Sequence, residues 1–257
     1  MSIILNECKF AEKALKDCEL GLKPSETIVR VAKYYMYTGN SKAKTRDLLD
    51  EFVLRCGTNT PLTKWSDLLD YAVKQASKYP PIMLDSVPIT KSEMERIDAL
   101  GGAQIRRLAF TLLCIVKFKY MAFGNEGYWV TTPDNEVMKM ANIATSIRRQ
   151  SSMFGQLRDE GLIRFSKKID NLDVQVLFAE TEGEVVMEVT DFRNLGYQYL
   201  KYHGGPYFEC ETCGLTIKQV TGVGRRQKYC DACAAKMKMQ QSINSVMRMR
   251  ERAADGL

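Results

Sequence analysis

The sequence predicts a mainly α protein with a small β component, divided into three parts. Three observations lead there. Apolar residues recur at helical spacing through most of the first 160 residues, and two short β-prone runs flank Asp170-Asn171. Prolines cluster at 80–88 and glycines at 204–205, which marks boundaries. Four of the eight cysteines stand in two close pairs near the C-terminus. The predicted division is a helical domain at 1–79, a linker at 80–91, a second domain at 92–203, and a cysteine module with a basic helix at 204–257.

At 257 residues the chain has room for one large domain or two to three small ones. The net charge of +6 permits nucleic-acid binding without requiring it. Residues 1–90 carry 13 basic and 11 acidic side chains, 91–205 carry 15 of each, and 206–257 carry 9 and 5. The excess is therefore densest in the tail. The longest apolar run, Leu108 to Val116, is too short to cross a bilayer. Ile3, Ile4 and Leu5 are followed at once by acids and lysines, so no signal peptide is read. The expectation is a cytoplasmic protein with no membrane partner. In that setting Cys8, Cys18, Cys56 and Cys114 are expected as buried thiols on helix faces.

The first 79 residues read as four helices. Leu5, Cys8, Ala11, Leu15 and Cys18 form one stripe. Pro24 opens a second helix carrying Ile28, Val31 and Tyr35, and Gly39-Asn40 breaks it. Ser41 caps a third, with Leu48, Leu49, Phe52 and Val53 inward. Thr60-Pro61 starts a fourth with Trp65, Leu68, Leu69, Ala72 and Val73. This region reads as a plain helical bundle or as a protein-partner surface. Beyond the proline stretch, Ser92-Glu93-Met94-Glu95 has capping-box spacing. After Gly101-Gly102, the residues Ile105, Leu108, Ala109, Leu112, Leu113 and Val116 build the most apolar helix in the chain.

The order of elements that follows is informative. Tyr128 to Thr131 is a short β-prone segment, Thr132-Pro133-Asp134 starts a helix, and Asn142-Ile143-Ala144 makes a turn. The next helix, from Thr145, has two faces. Ile143, Ile147, Phe154 and Leu157 should point into a core, while Arg148, Arg149, Gln150 and Ser152 face out. Its first turns hold two arginines and no acid, which opposes the helix dipole unless an external anion such as phosphate meets them. Gly161 ends the helix, and Ile163 to Ile169 and Val174 to Phe178 then form a hairpin.

Over roughly 104–179, this order resembles the winged helix-turn-helix superfamily. The ending Leu157-Arg158-Asp159-Glu160-Gly161-Leu162-Ile163 is similar to the close of many winged-helix recognition helices. The resemblance implies that the helix from Thr145 lies in the major groove of duplex DNA. Ser146, Arg148, Arg149, Gln150 and Ser152 then stand at contacting positions, with arginine suited to guanine and glutamine to adenine. Lys167 and Lys168 match wing residues that touch phosphate. Winged helices also serve as protein-interaction modules, so an adaptor or inhibitor acting on a nucleic-acid enzyme stays open.

Glu184 to Thr190 reads as a further strand, and Asp191 to Tyr202 as a helix whose Phe192, Tyr197, Tyr199 and Tyr202 pack as core or stack bases. The cysteine pairs are Cys210-x2-Cys213 and Cys230-x2-Cys233, sixteen residues apart. That spacing suits one structural zinc ion held by four thiolates, and the segment at about 207–235 looks like a zinc ribbon. Two disulfides or a redox pair fit it less well. Arg225, Arg226 and Lys228 lie between the pairs and add candidate phosphate contacts. Lys236, Lys238, Arg248, Arg250 and Arg252 lie on a final helix, with Met237, Met239, Val246 and Met247 expected to pack in part. The lone His203 reads as a surface or capping residue. No phosphate loop, dinucleotide fingerprint or paired-acid metal site is present, so no enzyme is predicted. The whole resembles small regulatory or replication-associated proteins of bacteria and their mobile elements, an analogy at the level of fold.

Overall fold

A computed structural model describes residues 3–57, 60–167, 173–220 and 227–255, with side chains described up to residue 250. The chain is mainly α with a minor antiparallel β part. It divides into two compact units. One comprises Met1–Pro88, Lys117–Glu126 and Met187–Phe192; the other comprises Ile89–Val116, Gly127–Val186 and Arg193–Leu257.

The first unit is built on α1 (Glu7–Asp17), α2 (Pro24–Tyr37), α3 (Lys42–Arg55) and α4 (Ser66–Ala76). Asn6 caps α1 by accepting from Lys9 N at 2.9 Å, Pro24 opens α2, and Ser41 caps α3. α2 packs against the other three helices, and Ile28, Val31, Leu49, Phe52, Leu69 and Ala72 are fully buried at the centre. The fourth helix begins later than Thr60-Pro61 predicts. Leu62–Lys64 form a 3-10 turn first, and α4 starts after Trp65. Cys114 is buried as expected, whereas Cys8, Cys18 and Cys56 are only half-buried; all are free thiols.

The stretch expected as a linker is hydrogen-bonded backbone. Ile82 carbonyl accepts from Glu7 N at 2.8 Å, Leu84 N donates to Leu5 carbonyl at 2.9 Å, and Val87–Thr90 form strand β1. Buried Glu7 joins this by accepting from Ile82 N at 3.0 Å and Lys33 Nζ at 2.8 Å, with Arg30 Nε at 3.5 Å. The division between the two units after Pro88 falls within this stretch, and Pro88 is tolerated in β1 because each strand of a two-stranded sheet has a free edge.

In the second unit, α5 (Lys91–Asp98) carries a capping box formed by Thr90 and Glu93, two residues before the predicted one. Glu93 is fully buried; its two oxygens accept from Thr90 N and Glu180 N, each at 2.7 Å. That distant partner chooses the box. α6 (Ala103–Phe123) follows; its residues up to Val116 belong to this unit, with Leu108, Leu112 and Leu113 fully buried. Then come β2 (Trp129–Val130), α7 (Asp134–Met140), α8 (Ile147–Asp159), β3 (Ile163–Phe165) and β4 (Val174–Val176). The three strands make one antiparallel sheet in the order β2-β4-β3, with Trp129 opposite Gln175 and Ile163 opposite Val176. Leu112, Val130, Val137, Phe154 and Val174 converge on a cavity of about 270 Å³.

β5 (Val185–Val189) pairs with β1. α9 (Leu195–Tyr202) is shorter than predicted, because Asn194 takes the left-handed conformation at φ 54° and the helix starts only after it. Phe192 and Tyr199 are buried, but Tyr202 is exposed. β6 (Tyr207–Glu209) and β7 (Thr216–Lys218) form a hairpin, and α10 (Asp231–Asp255) closes the chain. No helix among the described residues is long and apolar enough to cross a membrane.

Candidate functional site

Two sets of residues draw attention, both in the second unit. The first is the cysteine cluster. The β6–β7 hairpin presents Cys210 and Cys213, and the start of α10 presents Cys230 and Cys233. Gly214 at φ 71° makes the tight turn after the first pair, donating from its N–H to Cys210 carbonyl at 2.9 Å. The four sulfurs lie within 4.8 Å of one another and can hold a metal ion. Cys213 Sγ and Cys230 Sγ are 3.8 Å apart. A tetrahedral site with metal–sulfur bonds of about 2.3 Å needs sulfurs about 3.8 Å apart.

The electrostatics of the cluster favour a cation. Burial opposes ionisation of Cys210, but hydrogen bonds from the backbone at Cys230, Cys213 and Thr212, and from the Cys213 thiol, bring it down to about 6. Burial and the neighbouring Cys230, Cys213 and Cys210 sulfurs push Cys233 up to about 12. Crowded thiols split in this way because like charges cannot gather unaided, and a divalent cation removes that conflict. His203 takes no part in the cluster. It caps α9, with Nε2 3.1 Å from Asp98 Oδ1.

The second set lies on α8. Ser146 caps it, its hydroxyl accepting from Arg149 N at 3.4 Å, so the helix begins at Ile147, two residues later than the predicted start at Thr145. Met153, Phe154 and Leu157 form the buried face, together with Ile143 just before the helix. Ile147 departs from the expectation: it is 80% exposed. Periodicity gives the direction a side chain points, not whether anything covers it, and the first helical residue here is uncovered. Gly161 ends α8 as predicted, with φ 72° and the paired closing bonds Gly161 N to Arg158 carbonyl at 2.9 Å and Leu162 N to Leu157 carbonyl at 3.0 Å.

Arg148, Arg149 and Ser152 are exposed, and the first turn holds no acid. Neither arginine has an ion-pair partner among the described residues, and nor does exposed Lys167 beyond β3. Gln150 is half-buried and turned back, its Nε2 donating to Thr145 carbonyl at 3.3 Å. Lys228 is exposed but pairs with Glu211 at 3.3 Å. Lys168, Arg225 and Arg226 lie outside the described residues. On α10 the expected partial packing reaches only Met237; Met239, Val246 and Met247 are exposed, as is Ile243.

Sequence reasoning passed over Arg193 and Asn194. Arg193 Nη2 donates to Cys213 carbonyl at 2.6 Å, and Asn194 Nδ2 donates to Thr216 carbonyl at 2.9 Å. No local pattern marks either residue, since both partners lie about twenty positions away. Comparison with known protein families, with curated proteins and with solved structures finds no match to this chain.

Proposed function

We propose that this chain is a cytoplasmic duplex-DNA-binding protein, regulatory or replication-associated, in which a winged helix reads DNA through α8. A zinc ribbon supports it with one structural zinc ion on Cys210, Cys213, Cys230 and Cys233. The observation that carries the reading is the run β2, α7, turn, α8, β3, β4 with sheet order β2-β4-β3, combined with two exposed arginines at the start of α8 that have no ion-pair partner among the described residues. That combination supports groove entry by α8 and phosphate contact by the hairpin that follows. Zinc is the metal proposed because four cysteine sulfurs gathered within 4.8 Å of one another are its usual structural set. The role is one of binding rather than catalysis.

The test is duplex binding against salt concentration for the native chain and for Arg148→Ala, Arg149→Ala and Lys167→Ala. Each phosphate contact adds about 0.9 to the logarithmic salt slope. Loss of Lys167 should weaken all sequences alike and reduce the slope by about one, whereas loss of a base-reading arginine costs about 1–3 kcal/mol and relaxes preference at one position. If all three folded variants bind as the native chain does, α8 is not the reader. A second reading, a protein-interaction adaptor, then takes precedence. The exposed apolar residues Met239, Ile243, Val246 and Met247 on α10 favour it.

A further inference from the structure

We infer that occupancy of the four-cysteine site sets the pose of α8, through a relay of two asparagines, Asn194 and Asn142. Asn142 is the left-handed residue, at φ 55°, that ends α7 and turns the chain toward α8. It closes α7 in the usual paired fashion: Asn142 N donates to Lys139 carbonyl at 3.1 Å and Ile143 N to Met138 carbonyl at 2.9 Å. Only residues 143–145 separate it from the cap of α8.

Both faces of the Asn142 amide are engaged. Its Oδ1 accepts from Tyr197 N at 3.1 Å, and its Nδ2 donates to Asn194 Oδ1 at 2.9 Å. Asn194 Nδ2 then donates to the carbonyl of Thr216, a buried residue three positions past Cys213. The relay has a single consistent direction. A backbone N–H can only donate and a backbone carbonyl can only accept, so the two ends fix both amide orientations. Beside it, Arg193 grips Cys213 carbonyl at 2.6 Å, and Arg107 Nη1 holds Asn142 carbonyl at 2.8 Å.

The acceptors at one end of this relay belong to the metal knuckle itself. Cys210 N donates to Leu215 carbonyl at 3.0 Å, so the turn that presents Cys213 also places Thr216. A metal bound by four cysteines organises such a turn, and its loss releases it. Asn194 then loses a fixed acceptor, and Asn142 loses its guide. Asn142 and Asn194 are therefore positioning residues for α8. The claim about the pose of α8 stands by itself; its effect on DNA affinity rests on the proposed reading.

The experiment is amide hydrogen exchange on the full chain, zinc-loaded and chelator-stripped under reductant, for the native sequence, Asn194→Gly and Asn194→Asp. Glycine keeps the left-handed backbone without the side chain. Aspartate keeps the acceptor for Asn142 and loses the donor to Thr216. Stripping the native chain should speed exchange at 143–150 about tenfold, within the range typical of coupled sites, and leave α2 and α3 unchanged. Loaded Asn194→Gly should retain its zinc, exchange fast at 143–150, and respond little to stripping; Asn194→Asp should behave alike. Unchanged exchange at 143–150 in the stripped native chain overturns the inference, as do additive effects of stripping and substitution. DNA affinity measured on the same samples separates the two ideas: faster exchange with unchanged affinity upholds the relay and removes α8 as reader.

Discussion

Replacing Gly196 with alanine tests the packing of α9 through the sign of one measurement. Gly196 is buried inside α9, where alanine is ordinarily the better residue by about 1 kcal/mol. On propensity alone, Gly196→Ala should stabilise. The local geometry opposes this. A Cβ built at Gly196 would stand 1.9 Å from Ala141 carbonyl oxygen, 2.6 Å from Ala141 C and 3.1 Å from Arg107 Cδ. The first two are backbone atoms at the end of α7, so no rotamer change can relieve them. Overpacking of this kind typically costs about 1–3 kcal/mol, and contact with backbone falls at the upper end. Subtracting the propensity gain leaves a loss of about 2 kcal/mol. Urea unfolding in a Trp65→Phe background, followed by the fluorescence of Trp129 in β2, reports on the right unit. With a slope of about 1–3 kcal/mol per molar urea, the midpoint should fall by about 1 M. An unchanged or higher midpoint would refute the close approach of α9 to the α7 end, and with it a contact that holds the asparagine relay in place.

Other outcomes follow from single sites. Metal analysis should find one zinc per chain, and Cys213→Ser should lose it while α2 and α3 keep their exchange protection. Glu93→Ala should destabilise the second unit by about 3 kcal/mol, because one buried and one part-buried N–H group lose their acceptor at once; denaturant titration reads this, and a loss below about 1 kcal/mol counts against the box. Burial, then the hydrogen bond to Asp98 at 2.5 Å, raises the Tyr199 phenol above its ordinary value near 10. The folded state thus holds this proton longer than the unfolded chain, so the contribution is full below about pH 10 and is lost as pH rises beyond it. The urea midpoint should fall above about pH 10, and less steeply in Tyr199→Phe. Trypsin should cut after Lys238 and Arg248 before any site in α2, since every side chain from 238 to 250 is exposed.

What the sequence revealed and what it hid divide along a physical line. Local signals were legible. Pro24 and Ser41 open helices where expected, Gly161 closes α8, and the cysteine spacing brings four sulfurs together. Each depends on residues within one or two turns, or on the strong geometry of paired thiols. Signals whose outcome depends on a remote partner were misread. Ser92 and Glu95 have capping-box spacing, but Glu180 N selects Glu93 instead. The prolines at 80–88 give no sign of the backbone bonds that Ile82 and Leu84 make with Glu7 and Leu5. Ile147 has the right phase for the core stripe but no neighbour to cover it.

The asparagine relay is the extreme case. Asn142 and Asn194 are 52 positions apart, and each is locally an ordinary turn residue. Their left-handed backbones suit asparagine on conformational grounds alone, which gives a sufficient local explanation and conceals the other one. Either residue could be glycine if the turn were its only task. Glycine would free more of the unfolded chain; at 142 it would leave Tyr197 N with the Asn194 carbonyl alone, and at 194 it would leave Thr216 carbonyl without its side-chain donor. The side chains are thus needed for long-range pairing even where the backbone would accept glycine. This makes Asn142→Gly and Asn194→Gly informative: they preserve what the turns need locally and remove only what links the cysteine module to α8.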